Sequence, residues 1–169
     1  MAMAIARPRH TSRRPTLGEY VERRLGRGSW AQARNVLAKP FGARSFAEFW
    51  RYWNPVYGYF LYYYSYRPLR RTVPRPAAAW LTFLLCGFVL HDLVGWLAAR
   101  TVRFPEMTLL FALFGAGAIA SEALHIDTSR HPFAVRAPAN AAWLLAAWAI
   151  AAAVQRSWPG VAMALAGSR

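Results

Sequence analysis

Two polar residues in apolar surroundings are the strongest candidates for chemistry, a histidine and an asparagine. His91 lies in the apolar run 77–99, which contains a single carboxylate, Asp92. An ionisable side chain at membrane depth is energetically costly and therefore indicates a function. Burial favours the neutral imidazole, which is the form that a general base requires. The alternative is a structural histidine whose hydrogen bonds are satisfied by a neighbouring helix.

Asn54 is the second candidate, because its neighbours predict a helix end at this position. Pro55 disfavours the α conformation for the residue before it and has no backbone N–H to donate. We therefore expect the side-chain amide of Asn54 to be free to hydrogen-bond something other than its own backbone.

The residues around His91 refine its predicted surroundings. Asp92 is adjacent in sequence and cannot share the helical face of His91, so we expect it to pair with an arginine at the membrane interface. Gly87 and Gly95 lie one turn to either side of the histidine. Because glycine has no side chain, they are predicted to leave room for a substrate or a neighbouring backbone close to the imidazole.

The composition predicts the kind of protein that holds these residues. Of the 169 residues, 56% are hydrophobic and only 17% are charged, which is more apolar surface than one small soluble core can bury. We expect an all-α integral membrane protein with three to four transmembrane helices, preceded by basic amphipathic interfacial helices. The clearest spans are 77–99, 109–123 and 139–154. Small residues four apart are predicted to let these helices approach closely: Ala112, Ala116 and Ala120.

The basic residues are concentrated in the N-terminal part of the chain. The net charge is +14, and residues 1–76 contain 15 of the 21 lysines and arginines. A basic nucleic-acid module would not explain the apolar C-terminal half, so no nucleic acid is expected as a partner. The positive-inside bias instead places the N-terminal segment in the cytoplasm. We divide the chain into a disordered basic tail (1–15), an interfacial region (16–76) and a transmembrane bundle (77–169).

The interfacial region is predicted to contain three short helices, the first two of them basic and amphipathic. Such helices usually lie in the membrane interface, and a soluble partner-binding helix is the alternative. Each of the three begins with a serine or threonine followed three residues later by glutamate or glutamine, a pattern typical of helix starts. The pairs are Thr16 with Glu19, Ser29 with Gln32, and Ser45 with Glu48.

The third of these helices leads into an aromatic and then a basic segment. Phe46, Phe49, Trp50 and Trp53 form one apolar stripe, and the tyrosine-rich segment 56–66 follows. Eleven residues are too few to span a bilayer, which needs about 20. We therefore expect a half-inserted helix bordering an entrance for a lipid or acyl chain. The next four arginines are either a topological anchor or an anion site for a substrate such as coenzyme A: Arg67, Arg70, Arg71 and Arg75.

Several other kinds of site are not supported by the sequence. Cys86 is the sole cysteine, so no internal disulfide is expected. Glu122 and His125 form a single Glu-x-x-His pair, which cannot make a di-iron site alone. No cysteine or histidine spacing of zinc type, phosphate-binding loop or nucleophile elbow occurs. We expect no metal and no bound cofactor.

An ordered set of three features resembles the signature region of the membrane-bound O-acyltransferase family. The features are the segment SFAEFWRYWN at 45–54, the segment YRPL at 66–69, and an apolar helix containing His91. Asn54 precedes His91 by 37 positions, a separation similar to that of the family's two signature polar residues. The resemblance covers roughly 41–94 and is to a short or truncated bacterial member, located in the inner membrane.

This resemblance implies an enzyme that transfers an acyl group from a thioester such as acyl-coenzyme A to a hydroxyl of a lipid or carbohydrate. His91 would be the general base, and Asn54 would orient the substrate or stabilise the oxyanion. Acyl-coenzyme A would be a co-substrate, and membrane lipids would be partners. The residues expected to border the acyl donor or lipid are Trp50, Trp53, Tyr57, Tyr66, Arg67, Arg70 and Arg71.

Two classes of function remain open at this point. Family members usually have more spanning helices, so an enzyme of this size is expected to complete its chamber with a second copy or a second membrane subunit. It should have a cavity connecting Asn54 to His91, with access from the cytoplasm and the bilayer. The alternative is a non-catalytic subunit or scaffold that retains the motif and binds lipid or a partner. It predicts that His91 packs and hydrogen-bonds against another helix, without a tunnel.

Overall fold

The computed structural model describes residues 13–157 and 163–164. Most of the expected disordered tail, residues 1–12, lies outside the described residues. Helices are joined by turns and short loops, and the regular structure of the described chain is otherwise one short pair of strands, which confirms the all-α class. β1 (Thr101–Val102) pairs antiparallel with β2 (Met163–Ala164).

Three short helices open the structure: α1 (Leu17–Leu25), α2 (Ser29–Phe41) and α3 (Phe46–Tyr52). The predicted starts of α1 and α3 are confirmed. Thr16 Oγ1 accepts a hydrogen bond from the backbone N–H of Glu19 at 3.3 Å. Glu19 Oε2 in return accepts one from Thr16 N at 2.7 Å, which completes a capping box.

The predicted start of α2 is wrong by one residue. Gly28 is the N-cap, with φ of 86°, and Ser29 is already the first helical residue. Glycine adopts this left-handed backbone without steric cost, so the chain turns at Gly28 and the Ser29 hydroxyl is not needed as a cap. The Gln32 side chain donates instead to the carbonyl of Gly26, at 3.2 Å.

Two longer helices each contain one wider, π-helical turn. α4 (Pro55–Phe60) continues through a first π turn (Leu61–Tyr66) into α5 (Arg67–Leu69). α6 (Arg75–Gly87) continues through a second π turn (Phe88–Leu93) into α7 (Val94–Ala99). Such turns are rare insertions in α-helices and occur frequently at functional sites.

Three helices are long and apolar enough to cross a membrane. They are Arg75–Ala99, which comprises α6, the second π turn and α7, then α8 (Glu106–Ala123) and α9 (Phe133–Ser157). Each predicted span is found and begins earlier than expected, by two, three and six residues, and the third also ends three residues later. The chain is therefore a multi-pass membrane protein.

The core joins α3 to the spanning helices. Phe46 and Phe49 of α3 are almost completely buried, with 1% and 0% of their surface exposed. The Phe46 ring stacks on Trp143 of α9 at a centroid distance of 5.5 Å and contacts Phe114 of α8 at 6.3 Å. The aromatic stripe of α3 therefore packs inside the protein and fixes the residues that follow it to the bundle.

Glycines make close contacts between helices, whereas Ala116 of the predicted alanine row is exposed. A Cβ at Gly87 would lie 2.6 Å from the carbonyl oxygen of Met107, and one at Gly117 would lie 3.1 Å from Trp143. Glycine allows the neighbouring helix to approach this closely because it has no side chain to occupy the space between them. The prediction was wrong for Ala116 because four-residue spacing alone does not identify which face of α8 packs against its neighbours.

Candidate active site

A cavity of about 560 Å³ opens between two walls. The first wall is formed by α1, α3, α4 and the first π turn, and the second by α6, the second π turn and α8. Asn54 lines the first wall and His91 the second. The two residues selected from the sequence thus border the same space.

Asn54 is held by the start of α4. It is the N-cap, with φ of 39°, and its Oδ1 accepts a hydrogen bond from the backbone N–H of Tyr57 at 3.2 Å. Asparagine tolerates this left-handed conformation better than most residues do. The expectation that the side chain would avoid its own backbone is wrong for Oδ1. The amide nitrogen makes no hydrogen bond within the described residues and is available to a ligand.

His91 lies in the second π turn. Its ring stacks on Phe111 of α8 at a centroid distance of 5.0 Å and an interplanar angle of 26°. The residue is exposed, so the imidazole borders the cavity and is not buried between helices as the sequence suggested. It makes no hydrogen bond or ion pair to any residue in the described part of the chain. The ring nitrogens are therefore available to a substrate.

Asp92 is buried and does not pair with an arginine, contrary to the sequence expectation. Its Oδ1 accepts from the backbone N–H of Met107 at 3.1 Å. Its Oδ2 accepts from the N–H of Thr108 at 2.7 Å and from the Thr108 hydroxyl at 2.6 Å. The N-terminus of α8 supplies these donors, and amide groups at a helix start satisfy a carboxylate as an arginine would.

The inner part of the cavity is aromatic. Trp50 contacts Phe83 at a centroid distance of 5.1 Å and Phe111 at 6.2 Å, and all three rings line the space. Cys86 also lines it. The Trp50 indole nitrogen is buried and has no hydrogen-bond partner among the described residues. This surface suits an acyl chain, because it is apolar over most of its lining.

Charged residues from four helices lie at another part of the same cavity. Glu122 Oε1 accepts from Arg51 Nη2 at 3.0 Å and from Arg75 Nη2 at 3.3 Å, and Arg24 also lines the space. Arg75 had been identified from the sequence only as part of the basic cluster, and Arg24 and Arg51 had not been identified as candidates. No local pattern links Glu122 to these arginines, because it lies on α8, far away in sequence.

The residues predicted to bind the donor or lipid divide into two groups. Four of them line the cavity: Trp50, Trp53, Tyr57 and Tyr66. Arg67, Arg70 and Arg71 are not among its lining residues. Arg70 donates instead to the carbonyl of Val73 at 2.8 Å, closing the turn after α5. The positive charge at the cavity comes from Arg24, Arg51 and Arg75.

Comparisons with known proteins identify the family of this chain. No curated protein and no solved structure matches the chain. The sequence model of the membrane-bound O-acyltransferase family matches residues 24–111, just over half of the chain, and this segment includes both Asn54 and His91. The chain therefore belongs to the membrane-bound O-acyltransferase family.

Proposed function

We propose that this protein transfers an acyl group from an acyl thioester of the acyl-coenzyme A type to a hydroxyl group of a lipid or carbohydrate. The observation that supports the proposal is that Asn54 and His91 line one cavity. Its volume of about 560 Å³ lies within the usual range of small-molecule sites, about 300–1,000 Å³.

His91 acts as the general base. One ring nitrogen accepts the proton of the acceptor hydroxyl while the oxygen attacks the thioester carbonyl. The carbon–sulfur bond then breaks, and the thiolate takes the proton from the imidazolium, so that the free thiol and the ester are the products. The absence of a hydrogen bond to His91 within residues 13–157 supports this role, because both ring nitrogens can meet substrate.

Asn54 stabilises the negative charge that develops on the thioester oxygen. Its Oδ1 is occupied by the N–H of Tyr57, which directs the amide nitrogen away from the helix start. An N–H donor that is already oriented before the reaction stabilises an oxyanion without the cost of reorganisation. The cap thus serves the chemistry by fixing the direction of the donor.

The lining of the cavity suits an amphipathic thioester. The acyl chain lies against Trp50, Phe83 and Phe111, and the polar part of the donor lies near Arg51 and Arg75. We infer that the basic N-terminal segment faces the cytoplasm of a bacterium and that the spans cross its inner membrane. A second copy or a second membrane subunit completes the open side of the cavity.

The proposal is tested by acyl transfer from labelled acyl-coenzyme A by purified protein in lipid discs, with pools of lipid and sugar acceptors. His91→Ala is expected to lower kcat by about 10²–10⁴-fold, the usual contribution of a general base. Its free energy of unfolding should fall by at most about 1 kcal/mol, because the imidazole stacks on Phe111 but makes no hydrogen bond to the described residues. His131→Ala, in an exposed loop, is the matched control and should keep full activity.

The opposite result would favour the non-catalytic alternative. If the wild-type protein transfers no acyl group to any acceptor, and His91→Ala changes only assembly or stability, the proposal is wrong. The protein would then be a membrane scaffold that retains the residues of the family.

A further inference from the structure

The second π turn brings two residues of one helix against the same short segment of α8. A Cβ at Gly87 would lie 2.6 Å from the Met107 carbonyl oxygen and 2.8 Å from Thr108 Cα. The carboxylate of Asp92 accepts hydrogen bonds from the backbone of the same two residues. Gly87 and Asp92 are five positions apart and share one face.

A regular α-helix would not produce this arrangement. Residues turn by about 100° each, so the fourth residue after Gly87 would lie about 40° from it and the fifth about 140° away. His91 is that fourth residue and would face Met107 and Thr108 at the start of α8. In a π turn the backbone bonds join residues five apart, so Asp92 takes this place. The inserted residue therefore turns His91 towards the cavity.

The hydrogen-bond donors at the start of α8 satisfy the buried carboxylate of Asp92. Asp92 is 7% exposed and accepts three hydrogen bonds, two from backbone amides and one from the Thr108 hydroxyl. The N-cap residue of α8, Pro105, provides no side-chain cap, so Asp92 occupies the role of a capping carboxylate from a neighbouring helix. The positive end of the helix dipole adds to the attraction.

We propose that Asp92 is a positioning residue: its bonds to the N-terminus of α8 hold the second π turn, and the π turn directs His91 into the cavity. The importance of this orientation for catalysis rests on the proposed function of His91. The orientation itself is a property of the fold and can be measured separately.

The first experiment measures the orientation without any assay of activity. The only cysteine is removed with Cys86→Ala, and a thiol is introduced with His91→Cys. The rate at which a small, polar methanethiosulfonate reagent labels this thiol reports its access to the cavity. Asp92→Asn is expected to slow the labelling, because its NH₂ group would meet the N–H donors of α8. Asp127→Asn, the same change in an exposed loop, should leave the rate unchanged.

Two milder variants keep the test decisive if Asp92→Asn fails to fold. Thr108→Val removes one of the three donors and should slow the labelling less than Asp92→Asn. Thr108→Ser keeps the hydroxyl and should restore the wild-type rate. Equal labelling in Thr108→Val, Thr108→Ser and the parent would overturn the proposal, as would an unchanged rate in folded Asp92→Asn.

The second experiment asks whether Asp92 acts on catalysis through His91. Asp92→Asn in the otherwise native chain should lower kcat by about 100-fold with little change in KM, because a misplaced catalytic group costs about this much. In a His91→Ala background the same change should cost nothing further, since residues that act as one unit are not additive. If the double variant instead shows a loss of kcat equal to the product of the two single losses, the positioning role is contradicted. If no variant and no wild-type protein transfers acyl groups, only the proposed function fails, and the labelling rates still decide the role of Asp92.

Discussion

The two walls of the cavity fix their polar residues in different ways. Asn54 is held by a hydrogen bond to Tyr57, three residues away in its own helix. His91 owes its direction to contacts that Asp92 makes with residues 15 and 16 positions further along the chain. One geometry is local and the other depends on helix packing.

This difference between local and packing contacts predicts how each wall responds to substitutions. The direction of the Asn54 amide can be altered only by changing the start of α4 or the residues that anchor it. The direction of the His91 ring can be altered from α8, without touching the helix that carries it. Stability and activity should therefore be separable at Asn54, by the change Asn54→Asp, and be coupled at Asp92.

The largest expected effect follows from removing the anchor of the first wall. Phe49 is completely buried, and its ring stacks on Trp53, the residue before Asn54, at 5.3 Å. Phe49→Ala should lower the free energy of unfolding by about 3–5 kcal/mol, the usual cost of such a cavity. Trp30→Ala is the control, because Trp30 is 84% exposed and should matter for membrane association only. Denaturant titration in mixed micelles measures both, and equal, small losses would show that the first wall is not anchored by its core.

The second effect separates the two roles of Asn54. Asn54→Asp retains an oxygen that can accept from Tyr57 N and loses the amide donor. It should lower kcat by about 10²–10³-fold, as loss of an oxyanion donor does, with an unchanged free energy of unfolding. Asn54→Ala loses the cap as well and should cost about 1 kcal/mol more in stability. If Asn54→Asp retains full activity, the amide nitrogen does not contact the oxyanion.

The first wall was largely predictable from the sequence because its signals are local. The caps at Thr16 and Ser45, the helix end near Asn54 and the aromatic stripe of α3 can each be found within a few residues. The spans were predictable for a similar reason, since apolar length alone identifies them. Local signals could not predict whether α3 lies on the membrane or inside the protein, because both locations require an apolar face.

The second wall was predictable only in part. His91 stood out as an ionisable residue in an apolar run, but the second π turn has no sequence signal of the kind that marks a cap. The partner of Asp92 was missed because the donors are backbone amides of Met107 and Thr108, which any residue type supplies. Glu122 was missed as a cavity residue because its partners come from two other helices.

A smaller effect is expected at the charged group that joins the two walls. Glu122 contacts Arg51 of the first wall and Arg75 at the start of the second. All three side chains are about half exposed, so solvent screens the pairs and Glu122→Gln should cost below about 1 kcal/mol. Glu22→Gln, which breaks an exposed pair with Arg27 away from the cavity, is the matched control. A loss as large as that of Phe49→Ala would show that charge, and not the core, holds the walls together.

The smallest effect is a pH dependence confined to the first wall. The hydrogen bond from the backbone N–H of Thr16 holds the pKa of Glu19 below its ordinary value. A depressed folded-state pKa gives stability that is present above the unfolded-state pKa and is lost as the pH falls through the folded value. Acid should therefore loosen α1, whose Tyr20 packs on Tyr59 of α4 at 5.4 Å. The protection factors of the α1 amides, which remove the slower intrinsic exchange in acid, should fall on acidification in the wild type. They should fall less in Glu19→Gln, which keeps a side-chain oxygen that can accept the bond but does not titrate. Glu19 makes no contact with the second wall in the described structure, so protection in the second π turn should be the same in both proteins. A matching loss of protection there would mean that the two walls are not independent.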